Sequence, residues 1–530
     1  MHKRQNLKEI LGDMPIMMNM YWYLMAKKRP WNAHYNLNGL KPIISQAVLN
    51  AQISRGSYPR GKHIFLFASL HYWIEQTLMM GIALAGMGHR VSFGYLPYSE
   101  WQEPVWKFDL KKQDLYTQEI LRPASKIIQI VPFINVKPSP IDQELEKIAQ
   151  EIAVFDTQYT LQVEEISQDD QLYQLRYARD LQAARTMHAW LTSNQPDQVI
   201  VPNGAIHELG VLYRVSGMLG IDATTYEYSD QKENIWLAQN QEIMRQNTDA
   251  LWQGLGDTPL TEEHRKILVD FIGARKNARI WRNYSKKWQE VPTEGAKKAR
   301  KILELDERPI VMLATNVLGD SLMLGRQVIS QTMADWIKQT ISLLMKRQDI
   351  QFIIRVHPDE VFYKGTSIVK VIRDEFPVLP SNIRVIGPAE KINTYDLMEI
   401  TNLGLVFTTT AGLEMSMVGI PVIVAGETHY RGKGFTYDPA NWSEYVSMLK
   451  KILDDCEKYR LNDQQLELAW RYAYLFFFEY PLAFPWHLDC FSEDMQSQSM
   501  AFVLGKEGQQ KYGETFEFLA GNKMTYRFRH

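Results

Sequence analysis

Residues Thr408 to Gly426 read TTTAGLEMSMVGIPVIVAG, and this stretch decides the fold. The apolar run LGLVF before it predicts a buried parallel strand, which Thr408, Thr409 and Thr410 end where a helix begins. A helix start presents unpaired N–H groups and a partial positive charge, so a phosphate bound there needs few cationic side chains. Glu414, one turn along, suits the hydroxyls of a ribose. The stretch therefore predicts a nucleotide site, and the alternative is a hydroxyl-capped core helix with a solvated Glu414.

A second strand end lies about fifty residues upstream, in QFIIRVHPDE from Gln351 to Glu360. Its apolar residues give way to Arg355, His357 and Pro358 at the end where ligands gather in open α/β sheets. Pro358 ends the strand and holds His357 extended, so its imidazole is placed to donate a hydrogen bond to a phosphate. A structural histidine is the alternative interpretation.

Together these motifs resemble the C-terminal half of GT-B glycosyltransferases, and most closely the bacterial capsule polysaccharide biosynthesis proteins. That family includes transferases of 3-deoxy-manno-octulosonate. Its pattern Asn-Ser-Thr-x-Gly-Leu-Glu followed by Gly-Lys-Pro-Val is similar to residues 408–414 and 419–422, with Thr for Asn, Thr for Ser and Ile for Lys. Its Tyr-x-x-x-Gly-[Leu/Phe]-Thr loop is matched by Tyr430, Gly434, Phe435 and Thr436. The resemblance is good over Ile310 to Pro481 and faint in the N-terminal half.

The resemblance implies binding of a nucleotide-sugar donor in the C-terminal half. The residues that it assigns to the donor are Arg355, His357, Thr408, Thr409, Thr410, Gly412, Glu414, Tyr430 and Gly434. It also implies an α/β fold with two Rossmann-like domains that face each other across a cleft. No cofactor is expected, because the nucleotide sugar is a substrate.

Alternating strand and helix signals occur twice along the chain, as two α/β domains require. Predicted strands include KHIFLFAS, RVSFGYL, DQVIVPNG, IDATTYEY and RPIVMLATN, and residues from about Ser229 to Arg300 are predicted to be helical. We therefore expect an N-terminal extension over 1–60, an acceptor domain over 61–250 and a helical linker over 251–305. A nucleotide-sugar domain over 306–480 and a tail over 481–530 that packs back on the N-terminal domain complete the chain.

Composition limits the partners and the compartment. Hydrophobic residues make up 45% of the 530 residues and the net charge is −2, which argues against a nucleic-acid partner. Two cysteines and the lack of an 18-residue apolar run predict a cytoplasmic protein. The aromatic segments Ile16–Trp31 and Ala473–Trp486 suggest peripheral contact with the inner face of the membrane or with a polysaccharide assembly complex, and core packing is the alternative.

Several chemistries lack their sequence motifs. There is no Gly-x-Gly-x-x-Gly after a strand, no Walker A motif, no Gly-x-Ser-x-Gly and no His-Glu-x-x-His. There is also no Asp-x-Asp, the pair with which GT-A transferases hold a divalent metal. We expect no metal site and a metal-independent transferase.

The catalytic group is expected in the N-terminal half. His71 and Glu75 follow the first predicted strand, where either side chain would take a proton from an acceptor hydroxyl. Asn203, Glu208 and Glu227 form a second group at later strand ends, in which a carboxylate would act as base or nucleophile. We rank Glu75, His71 and Glu208 as the catalytic candidates, and the alternatives are a helix cap for His71 and an exposed helix face for Glu75.

The sequence thus predicts transfer of a sugar from a nucleotide sugar to a surface or capsular polysaccharide or a glycolipid. One alternative is a sugar-nucleotide 2-epimerase-like isomerase, whose Ser-Gly-Gly turn fits worse because its glycines fall on Thr409 and Thr410. Another is a protein that binds a nucleotide sugar or a glycan without catalysis.

Overall fold

The structure is a computed structural model that describes Met14, Met20, residues 22–24 and residues 35–529. Most of the aromatic segment Ile16–Trp31 therefore lies outside the described residues. The described chain forms two compact units. The first unit runs up to Asp156 and includes Ser167–Met244 and Leu482–Met524, and the second includes Thr157–Ile166, Arg245–Pro481 and the segment from Thr525 onward.

The first unit is built on a seven-stranded sheet among the described residues, in the order β12-β6-β5-β4-β1-β2-β3. Its strands are β1 His63–Ser69, β2 Arg90–Leu96, β3 Ile128–Pro132, β4 Gln198–Pro202, β5 Ala223–Tyr228, β6 Asn234–Gln239 and β12 Leu482–Ala483. The five strands from β5 to β3 are parallel, whereas β6 and β12 add two antiparallel pairings at one edge. Every residue of β1 is buried, since Ile64 and Leu66 pack on one face and Phe65 and Phe67 on the other.

Helices cover both faces of this first sheet. They are Ile44–Arg55, His71–Gly86, Lys107–Leu121, Gln143–Leu161, Gln171–Asn194, His207–Met218, Phe491–Ser497, Met500–Leu504 and Lys506–Leu519. Helix Gln143–Leu161 starts in the first unit and its last turn is assigned to the second.

The second unit is built on a five-stranded parallel sheet in the order β11-β10-β7-β8-β9. Its strands are β7 Ile310–Ala314, β8 Gln351–Arg355, β9 Ile383–Ile386, β10 Leu403–Val406 and β11 Val422–Val424. Its helices are Asp249–Leu255, Glu262–Lys276, Ala296–Ile302, Met333–Leu344, Ile368–Glu375, Thr394–Met398, Ala411–Met417, Trp442–Asp454 and Asp463–Tyr474, the last continued by a π-helical turn over Leu475–Glu479.

The predicted α/β class with two Rossmann-like domains is confirmed. The predicted strands of both halves are present, and helix Glu262–Lys276 in the predicted helical linker begins at Thr261 with a capping box. The prediction of helix over about 229–300 is wrong at β6, because Ile235 and Leu237 alternate with more exposed residues as a strand requires.

Each sheet has a switch point, at which the order of the strands reverses. The chain adds strands on one side of the first strand of the sheet and then on its other side. In the first sheet the switch lies between β1 and β4, and in the second between β7 and β10. Ligands of open α/β sheets bind outside the carboxyl ends of strands at such points. The segments that follow these four strands are therefore where a site is sought.

The aromatic segment Ala473–Trp486 packs inside the protein. Its phenylalanines 476–478 and Tyr480 are all less than 9% exposed, and Trp486 is fully buried. Core packing is thus the alternative that the structure supports for this segment. In the part of the chain that the structure describes, no helix is both long and apolar enough to span a bilayer.

Candidate functional site

The turn after β10 is held by hydrogen bonds from three sides. The Thr408 N–H donates to Asn316 Oδ1 at 3.2 Å, and the Thr408 carbonyl accepts from the Thr428 hydroxyl at 3.2 Å. The Tyr430 hydroxyl donates to the Thr409 carbonyl at 2.7 Å. Thr408 Oγ1 is buried and has no hydrogen-bond partner among the described residues. The turn therefore presents a fixed hydroxyl that a ligand would satisfy.

The helix after this turn is shorter than a strong dipole requires. It spans Ala411–Met417, only seven residues, and ends before the left-handed Gly419. Thr409 Oγ1 accepts weakly from the Ala411 N–H at 3.4 Å, and the Thr410 side chain makes no cap. The side-chain groups of the turn thus carry more of any phosphate binding than the helix dipole that the sequence suggested.

Gly412 is required by the close approach of Tyr430. A Cβ atom at position 412 would lie 2.3 Å from the Tyr430 hydroxyl oxygen and 2.9 Å from Val406 Cγ2. Tyr430 is fully buried, and burial raises the pKa of its hydroxyl. Gly412 and Tyr430 therefore shape the turn from beneath rather than present groups to a ligand.

Two hydrogen bonds hold His357 beside the end of β7, and they leave one ring nitrogen able to donate a hydrogen bond to a ligand. Its N–H donates to Thr315 Oγ1 at 3.1 Å, and its Nδ1 accepts from the Asp359 N–H at 3.2 Å. Because Nδ1 accepts, Nε2 carries the proton of the neutral ring. Burial lowers the pKa of His357, against the opposing effect of Asp359. The side chain is thus a neutral donor at physiological pH, as a phosphate ligand would need.

Arg355 makes internal contacts. Its Nη1 donates to the Gly387 carbonyl at 2.9 Å and its Nη2 donates to the Ile392 carbonyl at 3.2 Å. Burial lowers the pKa of Arg355 to about 10. The guanidinium therefore ties the loop after β9 to the sheet, and these bonds direct it away from the role that the sequence suggested.

Glu414 also points into the protein. Its Oε1 lies 2.9 Å from Arg275 Nη2 and accepts from the Tyr395 hydroxyl at 2.9 Å. This group borders a cavity of about 480 Å³ whose walls include Ile272, Met417 and Trp470. None of the threonines of the turn lines that cavity. The structure therefore separates the Glu414 carboxylate from the hydroxyls with which the sequence had grouped it.

Gly434 belongs to a loop with two left-handed glycines. The φ angles of Gly432 and Gly434 are +73° and +90°, which only glycine adopts easily. Lys433 between them forms an ion pair with Asp249. The loop is thus a sharply turned backbone beside Tyr430.

The sequence analysis missed Asn316 and Arg326. Asn316 follows β7 and orients the threonine turn, and the strand-end rule that selected His357 would have found it. Arg326 is 3% exposed, and a Cβ on Gly426 would lie 3.0 Å from both the Arg326 carbonyl and Thr408 Cγ2. Burial, and then the nearby charge of Arg245, lower the pKa of Arg326 to about 10. Arg245 and Arg326 thus bring two guanidinium groups close together in the second unit, which favours a bound anion.

In the first unit, three of the five described non-glycine residues with a positive φ follow β1 and β4, and the other two are Gln195 and Asn240. Leu70 follows β1 with a φ of +69°, and Asn203 follows β4 with a φ of +58°. His207, four residues later, has a φ of +51°. Such angles cost free energy in residues other than glycine and cluster at functional sites. The strain lies at the switch point of the first sheet.

Glu75 accepts hydrogen bonds from the N-terminal segment. Its Oε1 accepts from the Gly39 N–H at 2.8 Å and from the Leu40 N–H at 3.3 Å. Burial raises the pKa of Glu75 to about 7, and these two bonds oppose the shift. The carboxylate of this first-ranked candidate thus holds backbone in place, so it is less available to a substrate than the sequence suggested.

His71 begins helix His71–Gly86 and is half-buried beside Tyr72 and Tyr35, whose ring centroids lie 5.2 and 6.3 Å away. Its Nδ1 is buried and has no hydrogen-bond partner among the described residues. Burial lowers its pKa, so the ring is neutral. It remains a candidate proton acceptor at this edge.

Glu208 is enclosed in an ion network. The exposure of its side chain is 2%, and its Oε1 lies 3.5 Å from Arg176 Nη2. Burial opposes its ionisation, but Arg176 and His207 outweigh burial and lower its pKa. A buried, paired carboxylate with a lowered pKa is a poor proton acceptor.

Glu227 lies at the end of β5 and is bound to Asn203. The Asn203 amide donates to Glu227 Oε2 at 2.9 Å, and the Tyr228 N–H donates to Oε1 at 3.1 Å. Burial raises the pKa of Glu227, against the Asn203 hydrogen bond. Of the carboxylates considered, Glu227 therefore combines a strand-end position with increased basicity. In the described ranges, no group of three His, Cys, Asp or Glu side chains has the arrangement of a metal site.

Comparison with known proteins finds one family match, within the second unit. Residues 273–466 match the family model described as capsule polysaccharide biosynthesis protein, which confirms the resemblance over this segment. No match was found among curated proteins.

Three solved structures resemble the chain at low identity and low TM-score. KpsC of Thermosulfurimonas dismutans, a beta Kdo 2,4 transferase, is 15% identical over 52% of this chain and 78% of its own, with a TM-score of 0.34. UDP-GlcNAc 2-epimerase of Neisseria meningitidis bound to UDP-GlcNAc is 12% identical over 77% of this chain and 94% of its own, with a TM-score of 0.24. Glycosyltransferase SsfS6 of Streptomyces with thymidine diphosphate is 11% identical over 84% and 98%, with a TM-score of 0.22.

Proposed function

From the premise that residues 273–466 belong with the capsule polysaccharide biosynthesis proteins, we propose that the chain is a GT-B-type glycosyltransferase. It transfers a sugar from a nucleotide-sugar donor to a surface or capsular polysaccharide or to a glycolipid. The second unit binds the donor and the first unit binds the acceptor. The two cysteines, both unpaired, suit the cytoplasm, where we place the reaction.

The observation that carries the proposal is the unsatisfied hydroxyl of Thr408 at the switch point of the second sheet. Thr408 Cγ2 and the Arg326 backbone carbonyl both approach Gly426. His357 follows the neighbouring strand β8 with its Nε2 proton directed by the Asp359 contact. A hydroxyl and a neutral imidazole are a suitable donor set for the phosphate of a departing nucleotide.

Glu227 is the proposed proton acceptor. In the transfer step its carboxylate takes the proton of the acceptor hydroxyl as that oxygen bonds to the anomeric carbon of the donor sugar. The bond from that carbon to the nucleotide phosphate breaks, and the nucleotide leaves as an anion held by the donor set. A raised pKa makes Glu227 a stronger base, and Asn203 fixes its direction.

The donor set supplies hydrogen bonds to the leaving phosphate, and the sequence has no Asp-x-Asp pair to hold a divalent metal. We therefore propose that the transfer is independent of a divalent metal. Turnover should persist in excess EDTA, and loss of activity that magnesium or manganese restores would contradict this part of the proposal.

Nucleotide binding tests the donor site. Thr408→Val replaces the hydroxyl with a methyl group of similar size, and His357→Ala removes the Nε2 donor. Each should weaken the binding of the preferred nucleotide, chosen by thermal shift from CMP, CDP, UDP and GDP, by about 1–3 kcal/mol in calorimetry. Thr408→Val should leave folding unchanged or improve it, because the buried hydroxyl has no partner before a ligand binds.

Thr258→Val is the matched control, since it makes the same chemical change on an exposed residue of the second unit. The affinity of this variant for the nucleotide should equal that of the parent protein. Unchanged affinity in both Thr408→Val and His357→Ala would overturn the donor site.

Turnover with a panel of nucleotide sugars separates this function from the alternatives. A transferase consumes the donor productively only with an acceptor, whereas an epimerase-like isomerase converts the donor alone. A binding protein converts nothing. Glu227→Gln should retain nucleotide affinity and lose about 10²–10⁴-fold in transfer rate.

A further inference from the structure

Five ionisable side chains of the first unit form a network with almost no contact with solvent. Its members are Asp156, Arg176, Asp180, His207 and Glu208, each at most 2% exposed. Arg176 Nε lies 2.5 Å from Asp156 Oδ2, and its Nη2 lies 3.5 Å from both Asp180 Oδ1 and Glu208 Oε1. His207 Nδ1 lies 3.1 Å from Asp156 Oδ2. Burying these charges costs free energy, so a contribution to stability does not by itself explain the network.

The loop after β2 keeps water from this network. The Trp101 ring centroid lies 4.5 Å from that of His207. Arg179 holds the loop, because its guanidinium donates to the carbonyls of Glu100, Trp101 and Glu103 at 3.1, 3.3 and 2.5 Å. Exclusion of water strengthens every ionic contact beneath the loop.

The network is attached to the strained turn after β4. His207 keeps its left-handed φ of +51° while its ring contacts Asp156, and Glu208 follows it into helix His207–Met218. Asn203 and Gly204, at the other end of this turn, have φ angles of +58° and +80°. Left-handed residues other than glycine persist only where their surroundings determine them, and Asp156 and Arg176 provide those surroundings.

The conformation of residues 203–207 orients the side chain of Asn203. Its Oδ1 accepts from the Ala205 N–H at 3.1 Å, and its amide donates to Glu227 Oε2 at 2.9 Å. The Asn203 N–H is also bound to the Tyr226 carbonyl at 2.7 Å. The position of the Glu227 carboxylate thus depends on the conformation of residues 203–207.

We propose that Asp156 and Arg176 are positioning residues, which hold the turn of residues 203–207 in its left-handed form so that Asn203 directs the Glu227 carboxylate. This inference deepens the proposed function and rests on it for the identity of the reaction. The proposal that the network fixes the turn does not depend on that reaction.

The first test is hydrogen exchange in the full-length protein without substrate. Asp156→Asn removes the charge that holds the His207 ring, so the turn should open more often. The Ala205 amide, which is bonded to Asn203, should exchange at least tenfold faster, while the amides of β1 keep their rates. Adding His207→Gly should restore slow exchange, because glycine adopts the left-handed angle without an anchor.

The second test is turnover, in which Asp156→Asn should lower kcat by about tenfold or more and leave KM for the donor within about twofold. Adding His207→Gly should recover most of that loss. A merely structural role would not predict rescue by a second substitution that removes another member of the network. Arg176→Lys, which keeps the charge and loses the Nε contact, gives the same readouts if Asp156→Asn does not fold.

Arg185→Met is the control, because Arg185 lies on the same helix and its Nε donates to the Ser139 carbonyl of a different loop. It should change neither Ala205 exchange nor kcat. Unchanged Ala205 exchange in Asp156→Asn and Arg176→Lys would overturn the inference even if the chain is a transferase. Faster exchange with glycine rescue, in a chain that transfers no sugar, would refute the proposed function and leave the positioning of the turn intact.

Discussion

Thr408 and Glu414 show how residues close in sequence take separate positions. Thr408 follows β10, and its hydroxyl has no hydrogen-bond partner among the described residues. Glu414 lies on the following helix and forms an ion pair with Arg275. The sequence spacing placed both beside one nucleotide. The short helix Ala411–Met417 directs the Glu414 carboxylate toward Tyr395 instead. A motif therefore identifies the residue types of a site more reliably than the direction of each side chain.

Glu75 should make stability depend on pH. Its pKa is raised from 4.5 to about 7 by burial. The protonated carboxyl group is therefore favoured in the folded protein. Its contribution to stability is complete at a pH below the pKa of the unfolded chain and is lost as the pH rises through the pKa of the folded protein. Glu75→Gln should therefore be more stable than the parent by about 1–3 kcal/mol near pH 8 and similar near pH 5, as measured by urea unfolding.

The exposed Glu119→Gln of the same unit is the control for the loss of one carboxylate, and it should change stability little at either pH. A Glu75→Gln protein that is less stable than the parent near pH 8 would show that the ionised carboxylate, with its two N–H donors, is the favoured form.

Gly412→Ala should disturb the threonine turn. The added Cβ would lie 2.3 Å from the Tyr430 hydroxyl, so one of the two residues must move, at a cost of about 1–3 kcal/mol in unfolding free energy. Tyr430→Phe removes the oxygen at the closest contact. A double-mutant cycle should show that the Gly412→Ala cost is smaller in the Tyr430→Phe background, and equal costs would place the clash elsewhere.

At the scale of a single residue, the sequence predicted the strand-end positions best. His357 and Thr408 were identified because they directly follow apolar strands. Arg326 was missed because its backbone approaches Gly426, a hundred residues away, and no local pattern reports such a contact. The internal bonds of Glu75 and Glu208 were missed for the same reason, since their partners are distant in sequence.

At the scale of elements, prediction succeeded where one period dominated the sequence. β1 and β2 were predicted within one residue, because their apolar runs are long. β9 has only four residues, two of them half-buried, and gave no signal. β6 was hidden by the amides and charges that flank it.

Helix Met333–Leu344 offers a test of an element held by a remote cap. Glu164 accepts from the Met333 and Ala334 N–H groups at 2.6 and 2.9 Å, and Thr332 Oγ1 accepts from the Asp335 N–H. Glu164→Ala leaves two helix N–H groups without partners and removes a charge that favours the helix start. We expect a loss of about 1–2 kcal/mol in the unfolding free energy of the second unit.

Glu165→Ala, at the exposed neighbouring position, should change that free energy by less than about 0.5 kcal/mol. Denaturant unfolding followed by hydrogen exchange in the helix measures both variants. Equal effects would show that Glu164 contributes nothing specific as a cap.

At the scale of the whole molecule, the first unit depends on the end of the chain. β12 pairs with β6, the Phe484 N–H donates to the Glu233 carbonyl at 2.8 Å, and the Thr515 hydroxyl donates to the Ala483 carbonyl at 2.7 Å. Trp486, Tyr512 and Phe516 are at most 1% exposed in the core of that unit. Residues Leu482–Met524 are therefore part of the first unit.

A truncation after Pro481 should unfold the first unit, since it removes the buried Trp486, Tyr512 and Phe516 and the helix Lys506–Leu519 from one core. Hydrogen exchange should show loss of protection in β1 and β4, with β7 and β8 still protected. A shorter truncation that removes only residues 525–530, which belong to the second unit, is the control and should leave β1 protected. Protection of β1 in both proteins would contradict the dependence.

That pairing of β6 with β12 also has a consequence for synthesis on the ribosome. β6 is complete more than two hundred residues before its partner is made, which at roughly 5–20 residues per second is a delay of about 10–50 seconds. During that time β6 is an open edge, able to pair with other nascent chains. Chaperone demand during translation should therefore fall on the N-terminal half, and a premature stop codon near the 3′ end of the message would damage the domain encoded at its beginning.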